Sequence, residues 1–149
     1  MGLSLLGLHD ILLTDIAPVF PALKHNLKRN RHLFTNTPNK KPPRHAQLYW
    51  NNKEHIAAVR PRFDIVVAAD VVYMEDSALW LVDAMEGLVK EKDEGGVIVL
   101  GYQIRSVDAD KVFWEKCVER FDVEKVPKEN LDQDYRYEES DVFLLRKNS

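Results

Sequence analysis

Phe63-Asp64-Ile65-Val66-Val67-Ala68-Ala69-Asp70-Val71-Val72-Tyr73 is the stretch whose reading decides the fold. Its apolar run ends on the acid Asp70, and an aromatic follows at Tyr73. A continuous apolar run of this length fits a strand buried on both faces, as in a parallel sheet covered by helices. Ligands of open parallel sheets bind outside the carboxyl ends of the strands. Asp70 and Tyr73 are therefore expected where chemistry is placed.

Downstream of that strand, Asp76 or Ser77 is positioned to cap a helix, and Ala78, Leu81, Val82, Met85, Leu88 and Val89 give the helix its apolar stripe. Glu94-Gly95-Gly96 turns the chain into Val97-Ile98-Val99-Leu100-Gly101-Tyr102, a second buried strand. Ser106 or Asp108 caps a further helix with Ala109, Val112, Phe113 and Cys117 inward. Phe121 to Val126 alternates as an antiparallel or edge strand does. Asn130 to Ser140 reads as an acidic loop, and Asp141 to Arg146 as the last strand.

Upstream, His9 to Asp15 reads as a short buried strand. A helix is expected from Val19 to near Phe34, with Pro18 and Pro21 about its first turn, where backbone donors have no helical partner. Thr35 to Arg44 reads as an exposed loop and Ala46-Gln47-Leu48-Tyr49-Trp50 as a short strand. Ile56, Ala57 and Val59 fit one or two helical turns that Pro61 stops. The order β-α-β-(α)-β-α-β-α-β-β is an α/β fold with a mainly parallel sheet. Its last two strands have no helix between them and should pair antiparallel.

The bulk composition narrows the function classes. At 149 residues, 45% hydrophobic and 30% charged, the chain is expected to form a single domain, 1–149, with its own core. A net charge of -3 gives no argument for nucleic acid as a partner. Cys117 is the only cysteine, which rules out an internal disulfide and fits a reducing compartment. The expected location is cytoplasmic, with the nucleus also open. No apolar run approaches the roughly 20 residues of a membrane helix, so no membrane association is expected. Met1 to Leu8 lacks the basic start and cleavage site of a signal peptide. His9, His25, His32, His45 and His55 do not fall at metal-ligand spacing on one element, so no metal is expected.

Ala69-Asp70-Val71-Val72-Tyr73 resembles the acid-x-x-aromatic motif of the seven-strand, class I S-adenosylmethionine-dependent protein-lysine methyltransferases, and looks most like the methyltransferase-like 21 group. A terminal antiparallel pair is also a feature of that family, so the resemblance runs from Ile11 to Arg146. It implies a three-layer, Rossmann-like sheet, S-adenosylmethionine as cofactor and the lysine side chain of a protein substrate as methyl acceptor. Thr14-Asp15 matches the family's acid at the end of its second strand, which accepts hydrogen bonds from the ribose hydroxyls. Such charge-assisted bonds contribute about 1.5–3 kcal/mol each. The local alternative is a helix-capping acid ahead of Pro18. Trp50 matches a Trp that lies by the adenine; the local alternative is a core filler at a strand end. Ala69 matches a small residue beside the methionine part of the cofactor; the local alternative is packing against a helix. Asn26 and Asn30, one turn apart, also look like the family, and a structural role in bonds to neighbouring loops is expected of them.

The resemblance assigns the chemistry to Asp70 and Tyr73. Methyl transfer to a lysine amine is an in-line displacement that requires a neutral amine held about 3 Å from the methyl carbon. An aromatic, apolar channel disfavours the charged amine, and Tyr73 would form its wall and contact the amine or sulfonium through its ring. Asp70 would orient the amine by a hydrogen bond. A nearby negative charge raises a lysine pKa, so Asp70 is assigned positioning and not deprotonation. The local alternatives are an Asp capping the next turn and a core aromatic.

The family opens with a strand and a glycine-rich loop that hold the methionyl end of the cofactor. Met1 to Gly7 instead resembles the helix that follows that loop. The domain is thus expected to be truncated, without the first strand of the sheet. A gap is expected between the strands at Ile11 and Phe63, with backbone groups in need of partners and weakened cofactor binding. Asp15 and Asp70 are expected to end strands on a shared rim. The leading function is a protein-lysine methyltransferase with reduced or lost activity. The alternatives are a non-catalytic methyltransferase-like protein-interaction module and a nucleotide-cofactor oxidoreductase. The last lacks a glycine fingerprint and leaves Asp70 and Tyr73 unexplained.

Overall fold

The computed structural model describes residues 2–35, 41–59 and 62–148; the middle of the expected 35–44 loop and the stop at Pro61 lie outside the described residues. The chain divides into two compact units, Met1–Tyr49 and Trp50–Ser149. No helix among the described residues is long and apolar enough to cross a membrane.

The first unit runs α1 (Gly2–Leu5), β1 (Leu12–Asp15), a 3-10 turn (Ala17–Val19), α2 (Phe20–Arg29), α3 (His32–Thr35) and β2 (Arg44–Gln47). β1 pairs parallel with β2, from Leu12 opposite Arg44 to Asp15 opposite Gln47. A parallel pair cannot close through a tight turn, and the helices supply the crossover. The long helix expected to reach Phe34 ends at Arg29. Asn30 leaves helical geometry there, and its Nδ2 donates to the Asn26 carbonyl at 2.8 Å, satisfying a last-turn acceptor. Among the described residues, the Asn30 side chain thus bonds its own helix, where a bond to a neighbouring loop was expected. β2 begins and ends earlier than the expected Ala46–Trp50 strand, so Trp50 falls in the turn beyond it.

The second unit runs α4 (Lys53–Ala58), β3 (Ile65–Ala69), α5 (Glu75–Leu88), β4 (Val97–Tyr102), α6 (Val107–Arg120), β5 (Phe121–Lys125), a 3-10 turn (Lys128–Asn130) and β6 (Asp141–Lys147). Its sheet order is β3-β4-β6-β5. β3 and β4 are parallel, whereas β6 pairs antiparallel with both β4 and β5. The chain is thus α/β, with the closing antiparallel pair expected of strands that lack an intervening helix. β1 and β3 belong to separate sheets.

The core of this unit is built from the stripes read in the sequence. Ala78, Leu81, Val82, Met85 and Val89 meet Ala109, Phe113 and Cys117 over Ile98, Leu100, Tyr102 and Leu145. The even-numbered residues of β4 face the helices because side chains alternate along a strand. Cys117 is fully buried and unpaired, and burial pushes its thiol up to about 12. Lys116 ties α6 to α5 through Asp83 at 2.6 Å.

β3 departs from expectation. Val66 and Ala68 pack on the core, but Ile65 is 42% and Val67 49% exposed. The strand is buried on one face only, because it ends its sheet and α5 and α6 cover a single side. The capping expectation for α5 also changes. Met74 is its N-cap, and Ser77 instead donates its hydroxyl to the Met74 carbonyl at 3.0 Å. Ser106 caps α6 as expected, accepting from the Ala109 amide.

Candidate active site

The carboxyl ends of β3 and β4 lie side by side, with Ala69 opposite Gly101. A Cβ on Gly101 would stand 3.3 Å from the Ala69 Cβ, tighter than ordinary contact. The two small residues thus let the backbones end their ladder without a side chain over the rim. The next residue, Asp70, donates its amide to the Gly101 carbonyl at 3.0 Å and then takes φ of 55°. This left-handed conformation is uncommon outside glycine, and Asp is among the side chains that tolerate it best. Non-glycine residues in such backbone cluster at functional sites.

The turn presents the Asp70 carboxylate to Arg105, in the loop that follows β4. Arg105 Nε donates to Oδ1 at 2.6 Å and its terminal nitrogen to Oδ2 at 2.7 Å, a bidentate fork. This hydrogen bonding holds the Asp70 carboxyl below its usual range, with burial opposing and the guanidinium charge assisting. Asp70 does not cap a turn, as its local alternative supposed; it pairs with a cation from the neighbouring loop. Val71 and Val72 pack into the core between the two motif residues. Tyr73 stands 51% exposed, so the core-aromatic alternative does not hold. Met74 and Ile104, on the same two loops, and Val107, the first residue of α6, are also exposed.

Tyr102 fixes the floor beneath the Arg105 loop. Its hydroxyl donates to Asp110 Oδ1 at 2.5 Å, and its ring lies 5.9 Å from Phe113 and 5.1 Å from Trp114. Burial first, then the Asp110 carboxylate, pushes its phenol well above the ordinary value. It serves as an anchor and stays protonated.

The remaining expected residues are placed as follows. Asp15 ends β1 in the first unit, and its Oδ1 accepts from the Ile16 amide at 2.8 Å. The 3-10 turn that follows has no side-chain cap, so the capping alternative for Asp15 fails. Trp50 is partly buried against the core of the second unit, in keeping with its core-filler alternative. The structure brings Ala69, Asp70 and Tyr73 onto one strand end. Arg105 is the residue that reading the sequence missed. A usable signal was present: adjacent parallel strands finish on one rim, so a cation just past β4 can reach an acid just past β3.

A family model described as lysine methyltransferase matches residues 1–120. Among solved structures, the Methanococcus jannaschii fibrillarin pre-rRNA processing protein aligns at a TM-score of 0.58 and 15% identity, over 93% of this chain and 56% of its own. The S-adenosylmethionine-dependent methyltransferase SibL, solved in its apo form, aligns at 0.57 and 12% identity, over 94% of this chain and 44% of its own. Human N-acetylserotonin methyltransferase, solved in complex with SAM, aligns at 0.55 and 14% identity, over 99% of this chain and 43% of its own. The chain thus spans about half the length of the proteins it matches, and at these identities the likeness is one of fold.

Proposed function

The chain belongs to the lysine methyltransferase family, and from that premise we propose that it transfers a methyl group from S-adenosylmethionine to the side-chain amine of a lysine in a protein substrate. The observation that carries this reading is the exposed carboxylate of Asp70, turned off the end of β3 in left-handed backbone beside exposed Tyr73. The acid-x-x-aromatic motif further supports a place in the methyltransferase-like 21 group.

The residues present suit the cofactor. Asp15, at the carboxyl end of β1, offers a carboxylate for the ribose hydroxyls. Ala69 and Gly101 lie side by side, where a Cβ on Gly101 would crowd the Ala69 Cβ, and two such small residues suit close approach of the methionyl chain. Trp50 is assigned to the adenine edge by the resemblance. When bound, the cofactor would supply an electrophilic methyl on its sulfonium for in-line attack by the amine. Tyr73 excludes water from the approaching alkyl chain and disfavours its charged form. Asp70 accepts a hydrogen bond from the amine and so aims its lone pair. The proton of the methylated product passes to solvent at this open rim.

The test is methyl-labelled S-adenosylmethionine incubated with this chain and a panel of lysine-bearing proteins. Label on lysine that falls about tenfold or more in Asp70→Asn is the expected result. Label on another acceptor, or none, overturns the reading. A second reading, a non-catalytic interaction module, predicts no uptake of cofactor.

A further inference from the structure

We propose that Arg105 is a positioning residue that neutralises Asp70, so that Asp70 orients the substrate amine without holding it in its protonated, unreactive form. The inference rests on reading this rim as a lysine-methylating site. It resolves a conflict within that reading. An attacking amine must be neutral, yet a free lysine has a pKa near about 10.4. A bare carboxylate at hydrogen-bond distance favours the charged form by about 1–3 pKa units. Asp70 alone would therefore aim the nucleophile and disable it together.

In the structure the carboxylate is not bare. The guanidinium covers both oxygens, at 2.6 and 2.7 Å, and it does not deprotonate under any working condition. An ionised carboxylate has about four lone-pair sites, and the fork uses one on each oxygen. Each oxygen keeps a lone pair for an N–H donor, while the pair as a whole carries no net charge. The incoming amine meets an oriented dipole in place of an anion.

Other charged or titratable groups on the segments at this rim are Tyr73, Glu75 and Asp76 after β3, and Asp108 and Asp110 after β4. Asp110 is engaged by Tyr102. The charged partner acting on Asp70 is Arg105, and the one acting on Arg105 is Asp70. Both side chains are about half exposed, so a reagent or substrate reaches them without unfolding. The loop carrying Arg105 is held from below by Tyr102 and Ser106, which leaves the guanidinium to respond to Asp70.

The experiment uses Nα-acetyl-Nε-methyllysine amide, with a carbon-13 label on the Nε-methyl, as a probe that reports its own protonation. The whole chain is titrated with it in the presence of S-adenosylhomocysteine, and the methyl shift is followed from about pH 6 to about pH 11. Arg105→Gln is expected to raise the pKa of the bound amine by about one unit or more, and Arg105→Lys to restore most of the difference. In turnover the same change moves the acid limb of the rate profile upward. It costs about tenfold near neutral pH, and the loss disappears as pH rises. A merely structural role for Arg105 would lower the rate at every pH. Arg105→Met, a second neutral variant, should behave as Arg105→Gln does. A bound-amine pKa unchanged in both neutral variants overturns the proposal and leaves the methyltransferase reading standing. A probe that never binds the wild-type chain overturns the lysine site itself, and this proposal with it.

Discussion

That Asp70 and Tyr73 stand just past β3 was legible in the sequence, because an acid that ends an apolar run stands out from its neighbours. What Tyr73 faces was not legible, since spacing alone does not separate a core ring from an exposed one. With Tyr73 half exposed and the adjacent Val72 buried, Tyr73→Ala should shift the melting temperature by no more than about 2 °C. It should lower kcat about tenfold or more if the ring lines the amine channel; thermal melts and single-turnover assays read the two effects separately. Arg105 escaped the reading because its meaning depends on a lateral neighbour, β3, that is distant in the chain. Asp141 belongs to the same class. Lys125 at 2.8 Å and Lys128 at 3.2 Å hold its carboxyl below the usual 3.8. A depressed folded value means that the pairing contributes fully above the unfolded pKa and is lost as pH falls through the folded one. Asp141→Asn should therefore flatten the stability profile below about pH 4, in denaturant melts taken across acid pH.

The helices were read well where their stripes are long. α5 buries Ala78, Leu81, Val82, Met85 and Leu88, and α6 buries Ala109, Phe113 and Cys117, because a 3.6-residue period is hard to imitate. Their ends were read less well. Asp76 and Ser77 are both good capping types, yet Met74 takes the position through backbone geometry alone. Phe113 sits at the centre of this packing, in ring contact with Tyr102 and Trp114. Phe113→Ala should cost about 3–5 kcal/mol in urea melts. β3 is the instructive miss. An apolar run says that a strand is sticky on both faces but not that both faces are covered. Ile65 and Val67 stand exposed on an edge strand, without the charges or prolines that usually blunt such edges. Val67→Lys should suppress aggregation on concentration or heating, followed by light scattering, and should leave the melting temperature nearly unchanged.

The strand order, the parallel β3–β4 pair and the closing antiparallel strands agree with the α/β reading taken from the order of apolar segments. They agree because local period and the absence of a helix before β6 constrain topology strongly. Separation into Met1–Tyr49 and Trp50–Ser149 was not legible, since composition changes little between them. The proposed activity depends on cofactor uptake more than on any single contact. The decisive measurement is calorimetric titration of the whole chain with S-adenosylmethionine, wild type beside Asp15→Ala. Saturable single-site binding, weakened about tenfold or more by Asp15→Ala, is the result the account predicts. Absence of heat up to about 1 mM cofactor, or two isotherms that overlay, would contradict it.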